Sequence, residues 1–416
     1  MNTFSFASRG LLVLGIFISL VSNGLAQHRA PSPNPRHGDG RVSAFYTWEA
    51  EIPSSPGRLL RAELLESTVG LASAGQQWRI LFTSTDGVGG KEPIVVSGAL
   101  FLPRGTPPSG GWPLVAWGHG TLGGADICAP SWQGRSYRDV RYLNRWLEEG
   151  FAVVASDYQG IGVPGPNPQF NNRSNAYTIL DSARAALTGI PGLANKVLLI
   201  GQSQGGSAVV AALGYAPEYA PELGVLGAVG TGIVYAPGRP VPPLKSGNPS
   251  GNQDRKGDPT IAYSFFHAIA AESQDPTYKV SDVYTDLALP LVDQARVACL
   301  ATLTGDVAGL GLTRATAFKS GASQSSAGDD VNRAFHTLKF AAPLFIGAGK
   351  EDSLAAVDIA LAKDACAAGT TVEIHVYPDR DHSGAVNESL RHSIPFAKKL
   401  LAGKPIVPVC KPPELR

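Results

Sequence analysis

Charge is scarce in this chain. Charged residues make up 17% of its 416 positions, against about a quarter in a typical soluble domain. The two signs nearly cancel, with 35 Lys and Arg against 34 Asp and Glu and a formal net charge of +1. No basic run or stripe stands out, so the electrostatic footprint of a nucleic-acid partner is missing. Cysteine is sparse as well, at four residues, and no two lie close in sequence. No H-E-x-x-H occurs either, so the spacings of a zinc site are absent. Neither a metal nor a cofactor is expected. There is no internal repeat. Beyond the N-terminus no stretch stays apolar for the ~20 residues that a membrane-spanning helix needs. What is present is 44% hydrophobic residues, enough for a large core, with disorder expected only at the termini.

The N-terminus reads as a signal peptide, residues 1–26. Arg9 supplies a positive charge, and Leu11 to Val21 is an apolar run too short to span a bilayer,. Gly24-Leu25-Ala26 places small residues before a cleavage point between Ala26 and Gln27,. An uncleaved anchor is the alternative. Export, to the cell exterior or a periplasm, follows. Cys128, Cys299, Cys366 and Cys410 then read as two disulfides, with three pairings open and buried free thiols as the alternative,.

Residues 27–43 are rich in Pro, Arg, Gly and His and are expected to be a flexible lead-in. From Ala44 to Tyr235 strand-like and helix-like segments alternate, the pattern of a parallel sheet covered by helices. Trp78–Ser84 and Pro93–Leu102 read as strands, as do Trp112–Trp117, Phe151–Ser156 and Lys196–Ile200. Arg138–Glu149, with Val140, Leu143, Trp146 and Leu147 at helical spacing, and Asn175–Leu187 read as helices,. Composition shifts at Ala236 to a Pro/Gly/Asn-rich loop, and Thr260–Gly321 reads as several short helices. A block this long between strands is expected to be an inserted cap over residues 236–336. The sheet resumes in residues 337–416 with strands at Ala342–Gly347 and Thr371–Tyr377, helices at Leu354–Ala368 and Ala385–Leu401, and a Pro-rich tail.

One stretch organises the rest. Lys196–Ile200 is followed by Gly201-Gln202-Ser203-Gln204-Gly205 and then by a helix of small residues. A strand, a sharp turn bearing a serine and a helix make the nucleophile elbow of an α/β-hydrolase fold. The five-residue pattern alone is weak evidence in a chain with 48 glycines,, so the partners of Ser203 matter more. A serine hydroxyl needs a base within hydrogen-bond reach and a third group to orient it. In this fold the order is serine, acid, histidine. His382 lies in a loop directly after the last strand, whereas His375 is inside that strand and His392 is in mid-helix. Asp352 lies in the loop that ends the preceding strand, with Glu351 as its rival and a helix cap as the structural alternative. The oxyanion donors are expected to be the backbone N–H groups of Gln204 and Thr121, with Gly120 as the alternative to Thr121. His119 is expected to pack beneath that loop and hold it.

The ordered set Trp117-Gly118-His119-Gly120-Thr121, Cys128-Ala129-Pro130-Ser131, Asp157-Tyr158-Gln159-Gly160-Ile161-Gly162 and Gly201 to Gly206 resembles the secretory lipase family, the group of yeast lipase A. The resemblance runs from about Ala44 to Gly403. It implies an α/β-hydrolase with a helical cap and a triad of Ser203, Asp352 and His382 acting on carboxylic esters. It also implies disulfides Cys128–Cys299 and Cys366–Cys410, the first tying the oxyanion-side loop to the cap. Gly120, Asp157 and Tyr158, inside these motifs, are expected to bind substrate. A small-molecule or lipid ester, a lipid–water interface and a monomeric state are the expected partners and assembly. A serine peptidase or amidase, or a binding protein that kept the fold, are the alternatives.

Overall fold

The computed structural model describes Met1 and residues 28–238, 257–322 and 333–412. The expected signal peptide, most of the Pro/Gly/Asn-rich start of the cap and part of its Ser/Gly-rich end lie outside the described residues. Nine strands form one sheet in the order β1-β2-β3-β5-β4-β6-β7-β8-β9. They are β1 (Leu59–Leu64), β2 (Ala74–Thr85), β3 (Pro93–Pro103), β4 (Trp112–Gly118), β5 (Ala152–Ser156), β6 (Leu193–Gln202), β7 (Val225–Thr231), β8 (Leu344–Gly349) and β9 (Val372–Tyr377). The first three strands pair antiparallel, and β3 joins β5 antiparallel. Every pairing from β5 to β9 is parallel.

The parallel strands are apolar on both faces because both faces are covered. Along β6 the side chains alternate between two cores. Val197 and Leu199 pack with Ile179, Leu180, Val209 and Leu361 on one face. Leu198 and Ile200 pack with Leu143, Trp146, Val386 and Phe396 on the other. The helices concerned begin with α1 (Pro130–Gln133) and α2 (Tyr137–Glu148), followed by α3 (Asn172–Gly189) and α4 (Gln204–Tyr219). Their starts are encoded locally. Ser136 accepts from Asp139 N at the head of α2, and Asn171 accepts from Ser174 N at the head of α3, each satisfying a donor that the helix cannot.

Among the described residues five helices follow β7: α5 (Ile261–Gln274), α6 (Val280–Val283), α7 (Leu289–Ala295), α8 (Leu300–Gly309) and α9 (Arg314–Ala317). They enclose an apolar cluster of their own, with Phe265, Phe266, Leu291, Val292, Leu303 and Val307 at its centre. The last two helices, α10 (Ala355–Ala367) and α11 (Gly384–Leu401), return to the sheet. Both disulfides form, Cys128–Cys299 and Cys366–Cys410. The first, with a Leu300 N–H donating to Leu122 O at 2.8 Å, fastens the helical insertion to the loop after β4.

The lead-in departs from its expectation. Residues 28–43 are docked rather than loose. His28 O accepts from Ile52 N at 2.7 Å, and Gly40 N donates to the buried Asp126 carboxylate at 2.7 Å. Gly38 is wedged so tightly that a Cβ there would lie 2.1 Å from Arg296 O of the insertion. A segment poor in apolar periodicity still docks when its backbone groups find partners.

Candidate active site

Ser203 sits between β6 and α4 with φ 58° and ψ −121°, a region that a residue with a side chain enters only when its surroundings force it. Its surroundings do. Ser203 N donates to Thr231 O at 2.8 Å. A Cβ on Gly201 would lie 2.1 Å from Gly205 O, and one on Gly205 would lie 1.9 Å from Gly118 O. Strand β4 and the first turn of α4 therefore touch backbone to backbone, a contact only glycine permits. The turn leaves the Ser203 hydroxyl at the N-terminus of a helix of 16 residues, where the helix field favours developing negative charge.

The chain then brings two distant loops to this point. Asp352 follows β8 and is buried, with Leu354 N donating to its Oδ1 at 2.9 Å. His382 follows β9, and its Nδ1–H donates to Asp352 Oδ2 at 2.7 Å. Glu351 makes no such contact; its backbone N–H instead donates to Arg380 O at 2.9 Å. Gly232, at φ 56°, backs onto the pair, so that a Cβ there would lie 2.6 Å from His382 Cε1. Behind it Ile233 N donates to Asp358 Oδ1 at 2.8 Å. Burial, with Asp352 nearby, pushes the Asp358 carboxyl well above the usual range.

The other ring nitrogen is not turned to serine. His382 Nε2 lies 2.9 Å from Gln202 Nε2, so the amide donates to the lone pair that a base would use. No hydrogen bond joins Ser203 Oγ to His382 among the described residues. The Gln202 contact is compatible only with the Nδ1–H tautomer, the same tautomer that the Asp352 contact selects.

The loop after β4 arches over the elbow. A Cβ on Gly120 would meet Gln202 Oε1 at 2.4 Å and Ser203 Cβ at 3.5 Å. Thr121 Oγ1 donates to Gln204 Oε1 at 3.2 Å. His119 lies beneath: its ring stands 4.3 Å from that of Tyr158, and its Nδ1–H donates to Gly120 O at 2.7 Å. Burial pushes the His119 imidazole below its ordinary value, so it supports the loop as a neutral ring.

Comparison with known proteins bears on this geometry. The sequence model of the secretory lipase family matches residues 136–236, which carry Ser203 but neither Asp352 nor His382. Lipase 7 of Candida albicans is 36% identical over 94 residues, 22% of this chain and 21% of that protein. The chain thus spans about a fifth of the length of that curated relative. Lipase A of Candida antarctica superposes with a TM-score of 0.66 at 20% identity, covering 89% of this chain and 88% of that one. The rice cell wall degrading esterase LipA of Xanthomonas oryzae gives 0.59 at 20% identity, over 84% of this chain and 97% of its own. The fold is that of the α/β-hydrolases.

In that fold two expected substrate contacts fall elsewhere. Asp157 is fully buried, and its carboxylate accepts from Ser97 Oγ at 2.7 Å, from Ser131 N at 3.0 Å and from the Ser131 hydroxyl. Tyr158 is fully buried too, and its hydroxyl donates to His119 O at 2.9 Å. Both brace the loop that covers the elbow, because the residues after β5 turn inward against β3 and α1. Gln202 and Gln169 are the residues that sequence reading missed. Gln202 carried a signal, since it stands inside the elbow motif; Gln169, in a loop without a motif, carried none. Among the described residues no group of His, Cys, Asp and Glu could hold a metal ion, and no helix is long and apolar enough to cross a membrane.

Proposed function

We propose that this protein is an exported serine hydrolase of carboxylic esters that works through an acyl-enzyme. The observation that carries the reading is the His382–Asp352 hydrogen bond of 2.7 Å beside a serine held on a strained elbow. On substrate entry Gln202 releases His382 Nε2, which takes the Ser203 proton as Oγ attacks the ester carbonyl. Asp352 orients the ring and stabilises the imidazolium. The Gln204 N–H and an N–H of the Gly120–Thr121 loop hold the oxyanion. Collapse breaks the bond to the alcohol, which leaves with the proton from His382, and water repeats the sequence on the acyl group. Ester rather than amide cleavage is supported by the relatives' names, lipase and esterase. Two disulfides support export to an oxidising compartment,.

The test is Ser203→Ala. It should lower p-nitrophenyl ester hydrolysis by about 10⁴-fold or more with the melting temperature kept. Activity within tenfold of wild type would sink the proposal.

A further inference from the structure

The loop over the elbow is held from beneath by its carbonyls. Tyr158 Oη donates to His119 O at 2.9 Å, and His119 Nδ1–H donates to Gly120 O at 2.7 Å. The two rings that carry these donors pack on each other, with centroids 4.3 Å apart, so both ties come from the same side. In a planar trans peptide the carbonyl and the N–H lie on opposite edges. Tying His119 O therefore turns the Gly120 N–H away from the rings, and tying Gly120 O does the same for the Thr121 N–H. The nucleophile stands against this loop. A Cβ on Gly120 would lie 3.5 Å from Ser203 Cβ. Thr121 Oγ1 reaches the side chain of Gln204, whose N–H is the other oxyanion donor, at 3.2 Å.

Tyr158 is itself built into place. Its φ of 74° is a left-handed conformation that a residue with a side chain adopts only under constraint. The constraint is the fixed residue before it. Asp157 N donates to Ser97 O at 2.9 Å, and its carboxylate is held by Ser97 and Ser131. Tyr158 N in turn donates to Ser156 Oγ at 3.1 Å. Gly118 leaves room for the hydroxyl, since a Cβ there would lie 2.9 Å from Tyr158 Oη. Burial pushes that hydroxyl well above its ordinary value, so it keeps its proton and stays a donor. A side chain with no exposed surface can act on the reaction only through the loop it holds.

We propose that Tyr158 and His119 are positioning residues of the oxyanion hole, which aim the Gly120 and Thr121 N–H groups by holding the carbonyls of the same two peptides. The inference rests on the ester-hydrolase reading above and deepens it. Donors aimed before the substrate arrives need no reorientation as negative charge develops.

The test is Tyr158→Phe, which keeps the stacked ring and removes only the hydroxyl. Losing an oxyanion donor outright costs about 10²–10³-fold in kcat, and misdirecting one should cost about tenfold or more. With p-nitrophenyl butyrate, kcat should fall by that factor while KM stays within about twofold. An alkyl trifluoromethyl ketone reads the hole directly. Ser203 Oγ adds to its carbonyl, the carbonyl π pair becomes the oxyanion, and the serine proton passes to His382. Its affinity should fall by the same factor as kcat. His119→Leu should lose as much, and His119→Asn, whose Nδ2 can stand where the ring Nδ1 does, should regain most of the loss. A folded Tyr158→Phe protein with kcat within about twofold of wild type overturns the proposal. So does a fall in kcat with the ketone affinity kept, which would place the effect outside the hole. If Tyr158→Phe gives no melting transition, the His119 variants decide, and equal activity of Leu and Asn overturns the proposal. Each of these failures leaves the ester-hydrolase reading standing as long as wild type cleaves the ester. A wild type that cleaves no p-nitrophenyl ester overturns both.

Discussion

The elbow and the helical insertion hold their places by different means. At the elbow, backbone meets backbone: Gly201, Gly205 and Gly118 lie so close that a single added methyl has nowhere to go. The insertion has its own apolar centre around Phe265, Val292 and Leu303. It meets the core through the Cys128–Cys299 disulfide, the Leu300–Leu122 hydrogen bond and the wedge at Gly38. Ser203 is therefore positioned by sterics without slack, and the insertion by separable contacts, the stack of His267 on Phe170 at 4.2 Å among them. A fold arranged in this way can vary the insertion and leave Ser203 where it is.

The contrast can be broken at either end. The largest effect should come from Gly205→Ala, which drives a methyl to 1.9 Å from Gly118 O. Displacing the elbow by even about 1 Å should cost ester kcat/KM about a hundredfold. Activity within a few-fold of wild type would mean that the elbow has slack after all. Next comes the tether. Cys299→Ser opens a link spanning 171 residues and should cost about 2–5 kcal/mol, read by thermal or denaturant unfolding,. Cys410→Ser opens one spanning 44 residues, and the shorter loop should make its loss smaller by about 1 kcal/mol,. The reverse order would place the weaker seam in the C-terminal tail.

The smallest effect concerns the docked lead-in. Burial pushes the Asp126 carboxyl up to about 7. A carboxyl raised by folding stabilises the native state fully below its unfolded value and loses that contribution as pH rises through the folded one. Asn keeps an acceptor for Gly40 N and cannot ionise. Between about pH 4 and about pH 8 the wild-type melting temperature should therefore fall a few degrees relative to Asp126→Asn. Parallel melting curves would show that the carboxyl is ionised throughout, and the lead-in is then held by a charge.

Much of the scaffold was legible because it is local. The period of Val140, Leu143, Trp146 and Leu147 marks α2, whereas its start, read at Arg138, lies at Tyr137 behind the cap of Ser136. The pairing of a loop acid with a loop histidine was legible from chain order, since β8 and β9 both end at the edge of the sheet where the elbow emerges. Other features were not. Asp157 stands in a polar loop motif that reads as open to a ligand, yet Ser97 of β3 and Ser131 of α1 close over it. The lead-in looks structureless by composition, and its partners, Ile52, Gly165, Asp126 and the insertion, all lie far from it in sequence or in other elements.

The sequence by itself determined the elbow, because a glycine-flanked serine between a buried strand and a small-residue helix leaves the chain one steric solution. Chain order pointed as well to the two loops, after β8 and β9, that bring Asp352 and His382 together. The tertiary structure alone decided that Gln202, and not Ser203, meets His382 Nε2 across 180 positions, and that Gln169 turns its amide toward Gln204. Those contacts depend on how loops from separate strands are angled over one sheet edge. Hydrogen bonds are directional, so that angle, which no local pattern encodes, decides the partners.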